Sequence, residues 1–182
     1  MHRIGGLILV PVGVGTLLVT GQVGASNFDT NMYADNRNHY YAYVSLETSS
    51  VVAANWGRDR IDATDMNTHN GGTCKTHTDV CIFDGAYVGG IWDVTAGLVS
   101  CQTWVGAGRC DKFRMHLNTS ILDTASTQLL RRVGCHEWGH TGGLDHVPAS
   151  WTGWTCMWAS LDAPRQSAYF GWHDIAHLNA EY

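Results

Sequence analysis

The sequence predicts an α+β fold. Three observations carry that expectation: an aromatic, β-branched run early in the chain, a group of strand-like segments at its centre, and two longer helix-like segments that flank this group instead of alternating with its strands. Taken in order, "NHYYAYVSL" (residues 38–46) has the composition of a strand. In "ETSSVVAANWGRDRI", Ser and Thr stand where an N-cap is wanted before Val51, Val52, Ala54 and Trp56, so a helix is expected over 49–61. Residues 62–78, "DATDMNTHNGGTCKTHT", read as a loop. "DVCIFDGAYVGGIWDV" (79–94) reads as one or two strands divided by glycine, and 97–118 as two strands around the turn "VGAGR". In the second of these, Phe113, Met115 and Leu117 alternate onto one face, which leaves His116 on the other, exposed. A helix is expected from about Ser126. Leu129, Leu130, Val133 and Trp138 form its apolar stripe, and Gly142–Gly143 stop it. "GWHDIAHLNAEY" (171–182) closes the chain as a short helix.

The chain has 182 residues and no internal repeat or low-complexity linker, which fits one domain with a sizeable core. Charged residues make up only 15%, the net charge is −5, and no basic run occurs, so nucleic acid is excluded as a partner. The first 25 residues differ from the rest. A short positive start, "MHR", precedes the apolar run "IGGLILVPVGVGTLLV", and Val23 and Ala25 occupy the small-residue positions of a cleavage site. Residues 1–25 are therefore expected to be a secretory signal peptide, and 26–182 the exported domain. No other apolar run is long enough to span a membrane, so a secreted, extracellular monomer without membrane attachment is expected.

Six cysteines, Cys74, Cys81, Cys101, Cys110, Cys135 and Cys156, all follow the leader. An even count in an exported chain points to disulfides. Sequence leaves all pairings open; the economical expectation joins neighbours, Cys74–Cys81, Cys101–Cys110 and Cys135–Cys156. A cysteine-rich zinc site is the rival, and the absence of a CxxC pair argues against it.

The chemistry concentrates in "VGCHEWGHTGGLDHVPASWTGWTCMW", residues 133–158. His136 and His140 are four apart, so on a helix both imidazoles share one face and can reach one ion. Zinc suits nitrogen ligands in a tetrahedral set. Glu137, one residue on, stands beside the ion where it can hold a water. The pattern extends to HExxHxxGxxH with Gly143 and His146, and the full match is expected by chance in only about 1 in 10⁴ such chains. A straight helix could not bring His146 to the ion; a glycine at 143 allows the φ > 0 turn that can. Three protein ligands leave a fourth position open, as catalytic zinc sites do.

"HEWGHTGGLDH" followed by "CM" resembles the metzincin clan of zinc endopeptidases, and within it the matrixins, above all short exported bacterial ones. The likeness spans about residues 38–182 and is specific from Cys135 to Met157. It implies a twisted mixed sheet with two main helices and a turn in which Met157 forms a hydrophobic floor under the metal without ligating it. It also implies peptide-bond hydrolysis by a zinc-activated water, with Glu137 as general base and proteins or peptides as substrates. The sequence departs from parts of the clan. Ala159 stands where astacin-like members have a tyrosine, and His146 where snapalysin-like members have aspartate, with Asp145 beside it. The second CxxC site of archaeal-type members is missing, and no cysteine switch precedes the domain, so latency by a long propeptide is not expected.

The remaining candidates are weaker. His69, His77 and Asp79 fall where matrixins carry structural zinc and calcium, but "HTD" alone does not support a calcium site, and solvent-exposed loop residues are expected. His173 and His177 read as surface or packing residues. Trp151, Trp154 and Trp158 flank the Met157 turn; they form either an aromatic wall favouring apolar substrate side chains or part of the core. A substrate could add as a strand to the sheet edge. Two other functions stay open at this point, a catalytically silent zinc-stabilised binding module and a hydrolase of non-peptide amides.

Overall fold

The computed structural model describes residues 32–106, 108–163 and 165–182; the expected leader lies outside them. In chain order the elements are β1 (Tyr33–Ala34), β2 (Asn38–Val44), α1 (Thr48–Ile61), β3 (Asn67–Asn70), β4 (Val80–Gly85), a 3-10 turn (Gly90–Asp93), β5 (Gly97–Gly106), β6 (Arg109–Asn118), α2 (Thr119–Leu122), α3 (Thr127–Thr141) and α4 (Trp172–Glu181). The strands form one mixed sheet in the order β3-β2-β4-β6-β5, with β1 beside the start of β6. Every pair is parallel except the β5–β6 hairpin, which makes β5 an antiparallel edge strand. The two long helices lie before and after the run from β3 to β6 instead of alternating with its strands, which is the expected α+β architecture.

Side-chain alternation sets which face is buried. Phe113, Met115 and Leu117 of β6 and Val80 and Ile82 of β4 are fully enclosed, and they share one core with Ala53, Ala54 and Ile61 of α1 and Val133 and Trp138 of α3. The two long helices meet more closely than ordinary side chains permit. A Cβ on Gly57 would lie 2.1 Å from the Gly134 carbonyl oxygen, and one on Gly134 would lie 1.8 Å from that of Ala53. Trp138, fully buried, donates its indole N–H to the Ala54 carbonyl across the same crossing (2.9 Å).

Four local outcomes refine the sequence reading: the first and third depart from it, and the second and fourth settle alternatives that it left open. The polar segment 62–78 contains β3, which pairs in parallel with β2 from Asn38↔Asn67 to Tyr41↔Asn70. As an exposed edge it needs backbone partners and no apolar alternation, so composition does not reveal it. Residues 79–94 give one strand only. Gly89 (φ 86°) and Gly90 (φ 62°) turn the chain out of the sheet. Asn118, fully buried, then holds that segment: its amide nitrogen donates to the Trp92 and Thr95 carbonyls, and its oxygen accepts from the Tyr87 and Ser120 amides. The third and fourth outcomes concern histidines. His116 is half-covered, with Nδ1 2.8 Å from the Tyr87 hydroxyl, because residues 86–93 fold over the outer sheet face. His173 is buried and lies 2.9 Å from Asp174, so it belongs to the packing of α4.

The structure joins Cys74 to Cys81, Cys101 to Cys110 and Cys135 to Cys156, with Cα separations of 5.5, 5.7 and 5.9 Å. The second spans the β5–β6 hairpin, and the third ties α3 to the turn holding Met157. In the chain-entropy account, closing a loop of the third bond's length stabilises by about 3 kcal/mol. Among the described residues no helix is long and apolar enough to cross a membrane.

Candidate metal centre

Helix α3 begins at Ser126, whose side chain accepts the Leu129 amide, and ends in a Schellman motif. The Leu144 amide donates to the Gly139 carbonyl (3.0 Å), and the Gly143 amide to that of His140 (3.1 Å), with Gly143 at φ 92°. This left-handed residue reverses the chain and returns His146 toward the helix. His136 and His140 bring their Nε2 atoms to 3.0 Å of each other, and His146 Nε2 lies 3.1 Å from that of His136. Among the described residues, His136, His140 and His146 form the one group of three side chains able to hold a metal, with ligand atoms all within 4.8 Å.

The tautomers are set by the backbone. His136 Nδ1 donates to the Cys156 carbonyl (2.8 Å), and His140 Nδ1 donates to the Leu144 carbonyl (2.7 Å). A carbonyl can only accept, so both Nε2 atoms carry lone pairs directed at the common point. Burial, reinforced by the neighbouring imidazoles, holds His136 well below its ordinary pKa; burial first and His146 second take His140 down to about 4. Burial lowers His146 as well. Neutral imidazoles with their lone pairs gathered about 3 Å apart repel one another unless a cation lies between them. A tetrahedral zinc with bonds of about 2.0–2.1 Å would hold its nitrogens at nearly this spacing, so the donor set fits zinc.

Glu137 is 4% exposed and lines the same cleft. Its Oε2 is buried without a hydrogen-bond partner among the described residues. Burial pushes its carboxyl up to about 8, and a dication at the three histidines would draw it back toward the charged form. The carboxylate rests against the start of β5: a Cβ on Gly97 would lie 2.5 Å from Oε1. Met157 is fully buried under α3, its sulfur 2.5 Å from where a Cβ on Gly139 would be. Its amide accepts the support of Thr155, donating to Oγ1 (3.0 Å), and its carbonyl receives the Val147 amide (2.9 Å). Thr155 in turn donates to the buried Asp174 carboxylate.

The cleft has a volume of about 390 Å³. The residues from Val94 to Val99 line it together with Met32, Arg132, Asp145, His146, Trp158 and Leu161. Of the three tryptophans near the turn only Trp158 lines it. Trp151 packs against His173 in a tilted pair, with ring centroids 4.0 Å apart, and Trp154 is 64% exposed. His69 and His77 are exposed, and they and Asp79 join no metal-binding group among the described residues. Sequence reasoning passed over Gly97 and Arg132. Nothing marks Gly97 in the sequence, whereas Arg132 stands one helical turn before His136, a spacing that signals the same helix face.

No protein-family model matches the chain, and no curated protein matches it in sequence. Among solved structures it is similar to archaemetzincin from Archaeoglobus fulgidus, complexed with malonate, at 16% identity and a TM-score of 0.46, covering 77% of this chain and 99% of that one. It is also similar to myroilysin, at 13% identity and a TM-score of 0.38, covering 78% of this chain and 60% of that one.

Proposed function

We propose that the protein is a secreted zinc endopeptidase of metzincin type, with His136, His140 and His146 as ligands, Glu137 as general base and Met157 as the floor of the site. The observation that carries this reading is the convergence of three imidazole Nε2 atoms, two of them with lone pairs fixed by backbone hydrogen bonds at Nδ1, in a cleft that also holds the unpartnered Oε2 of Glu137. Zinc bound there supplies Lewis acidity toward a peptide carbonyl and toward water. Glu137 takes a proton from the attacking water and delivers it to the departing amine. The backbone of β5, which has β6 on one side only, offers its free edge to an extended substrate along the cleft. The leader-like residues 1–25 and the three disulfides support export.

The purified protein should contain one zinc per chain and cut casein in a chelator-sensitive manner. Glu137→Gln should keep the zinc and lose at least about 10²-fold in rate. A wild-type protein that binds zinc yet cuts no protein or peptide would overturn the hydrolytic reading, and full activity in Glu137→Gln would remove that residue from its role.

A further inference from the structure

The two adjacent arginines of α3 leave the helix in different directions. The Arg131 guanidinium lies 4.3 Å from the centre of the Trp56 ring, on the α1 side. Arg132 lines the cleft instead, and no other Lys or Arg among the described residues does so. It precedes His136 by four residues, an advance of about 6 Å along the same helix face. Its Nη2 donates to the Leu161 carbonyl, in the segment after the Met157 turn, and both residues line the cleft, so the bond holds the group there. The other guanidinium nitrogens make no hydrogen bond to the described residues and are not sealed from solvent. Burial disfavours the charge on Arg132, and the nearby Asp162 favours it, yet the two form no ion pair among the described residues. The carboxylates that line the cleft are Glu137 itself and Asp145, whose side chain accepts the His146 amide.

Building on the zinc-peptidase reading, we infer that Arg132 selects substrates with an acidic side chain flanking the scissile bond. A guanidinium presents its free N–H groups as a planar fork that a carboxylate fills with two parallel hydrogen bonds. An apolar side chain at the same place would cover those donors without pairing them, and a lysine would meet like charge. Anchoring on Leu161 means that little side-chain freedom remains to be lost when the carboxylate binds.

The test uses peptides identical except for Glu, Asp, Ala, Leu or Lys at the positions on either side of the cut, with the zinc-loaded full chain. Wild type should favour Glu or Asp over Leu and Ala by about tenfold to a hundredfold in kcat/KM at one flanking position. Arg132→Gln, which keeps a donor for Leu161, should lose this preference, and Arg132→Glu should turn it toward Lys. The same peptides titrated calorimetrically into Glu137→Gln should show the same order of Kd, which reads selection without turnover. Equal or better cleavage and binding of Leu or Ala peptides by wild type overturns the inference, as does an acidic preference that survives in both Arg132 variants. Binding that follows the charge rule with no peptide cut upholds this inference and counts against the peptidase reading.

Discussion

Replacing Gly97 with alanine tests how the general base is seated. An added Cβ would lie 2.5 Å from Oε1 of Glu137 and 2.6 Å from its Cδ and Cγ, whereas real Cβ contacts essentially never fall under 3.0 Å. The carboxylate must therefore retreat by about half an ångström or more, or β5 must pull away from α3. Glu137 is 4% exposed and lines the cleft, so it retreats either into packed neighbours or into the space where water and substrate must sit. Misplacing a reacting group by about 1 Å costs roughly 10²-fold, or about 2.7 kcal/mol in the barrier. A fall of ten- to a hundredfold in kcat/KM is expected, carried by kcat, with zinc content unchanged because the three atoms nearest the added Cβ all belong to Glu137, which is not a ligand. Gly106, on the same strand with nothing within 4 Å of its added Cβ, is the control, and Gly106→Ala should behave as wild type. Wild-type kcat in Gly97→Ala, with the variant folded and zinc bound, would refute the claim that this contact fixes the base.

Two stability predictions accompany it. Gly134→Ala drives a Cβ to 1.8 Å from the Ala53 carbonyl, between two helix backbones that cannot step aside, and should cost about 3 kcal/mol or more in a denaturant titration; a shift below about 1 kcal/mol would mean the helices separate freely. His39 sits buried against Phe113 and Trp138, and burial lowers its pKa to about 4. Its folded pKa lies below the unfolded value of 6.5, so the unfolded chain takes up the proton first. Stability is then full above pH 6.5 and falls by about 3 kcal/mol as pH drops to 4. His39→Gln should flatten that part of the wild-type profile, and identical slopes for the two proteins would remove His39 as the cause.

How much of this could be read from the chain depended on the range of the forces involved. The ligand cluster was legible because helix periodicity relates His136 to His140, and one left-handed glycine relates both to His146. Alternation in β6 revealed Phe113, Met115 and Leu117 as core for the same local reason. β3 was hidden because its pairing with β2 satisfies backbone groups and buries little side chain. Contacts distant in sequence were also hidden. Gly97 meets Glu137 forty residues on, and Trp151 turned to His173 and away from the cleft, because tertiary packing decides which neighbour a side chain finds.

The placement of the ligands follows from how α3 is held. Three rows of residues spaced about four apart divide its surface. Gly134 and Trp138 meet α1, where the close backbones and the indole bond to Ala54 permit one rotation of the helix. Cys135, Gly139 and Gly142 meet Cys156, Met157 and Leu178, so a covalent bond, a sulfur contact and the packing of α4 hold a second side. The row left free contains Arg132, His136 and His140, and it faces the cleft. Clamped on two sides, the helix cannot turn the imidazoles away, and Cys156 completes the arrangement by accepting the His136 Nδ1 proton with its own carbonyl. The same short turn thus anchors the helix through its sulfur, fixes a ligand's tautomer through its backbone and supports the helix from below through Met157. That is why glycine at 134 and 139, two positions that supply no ligand atom, is needed for the metal-binding geometry as much as the histidines are.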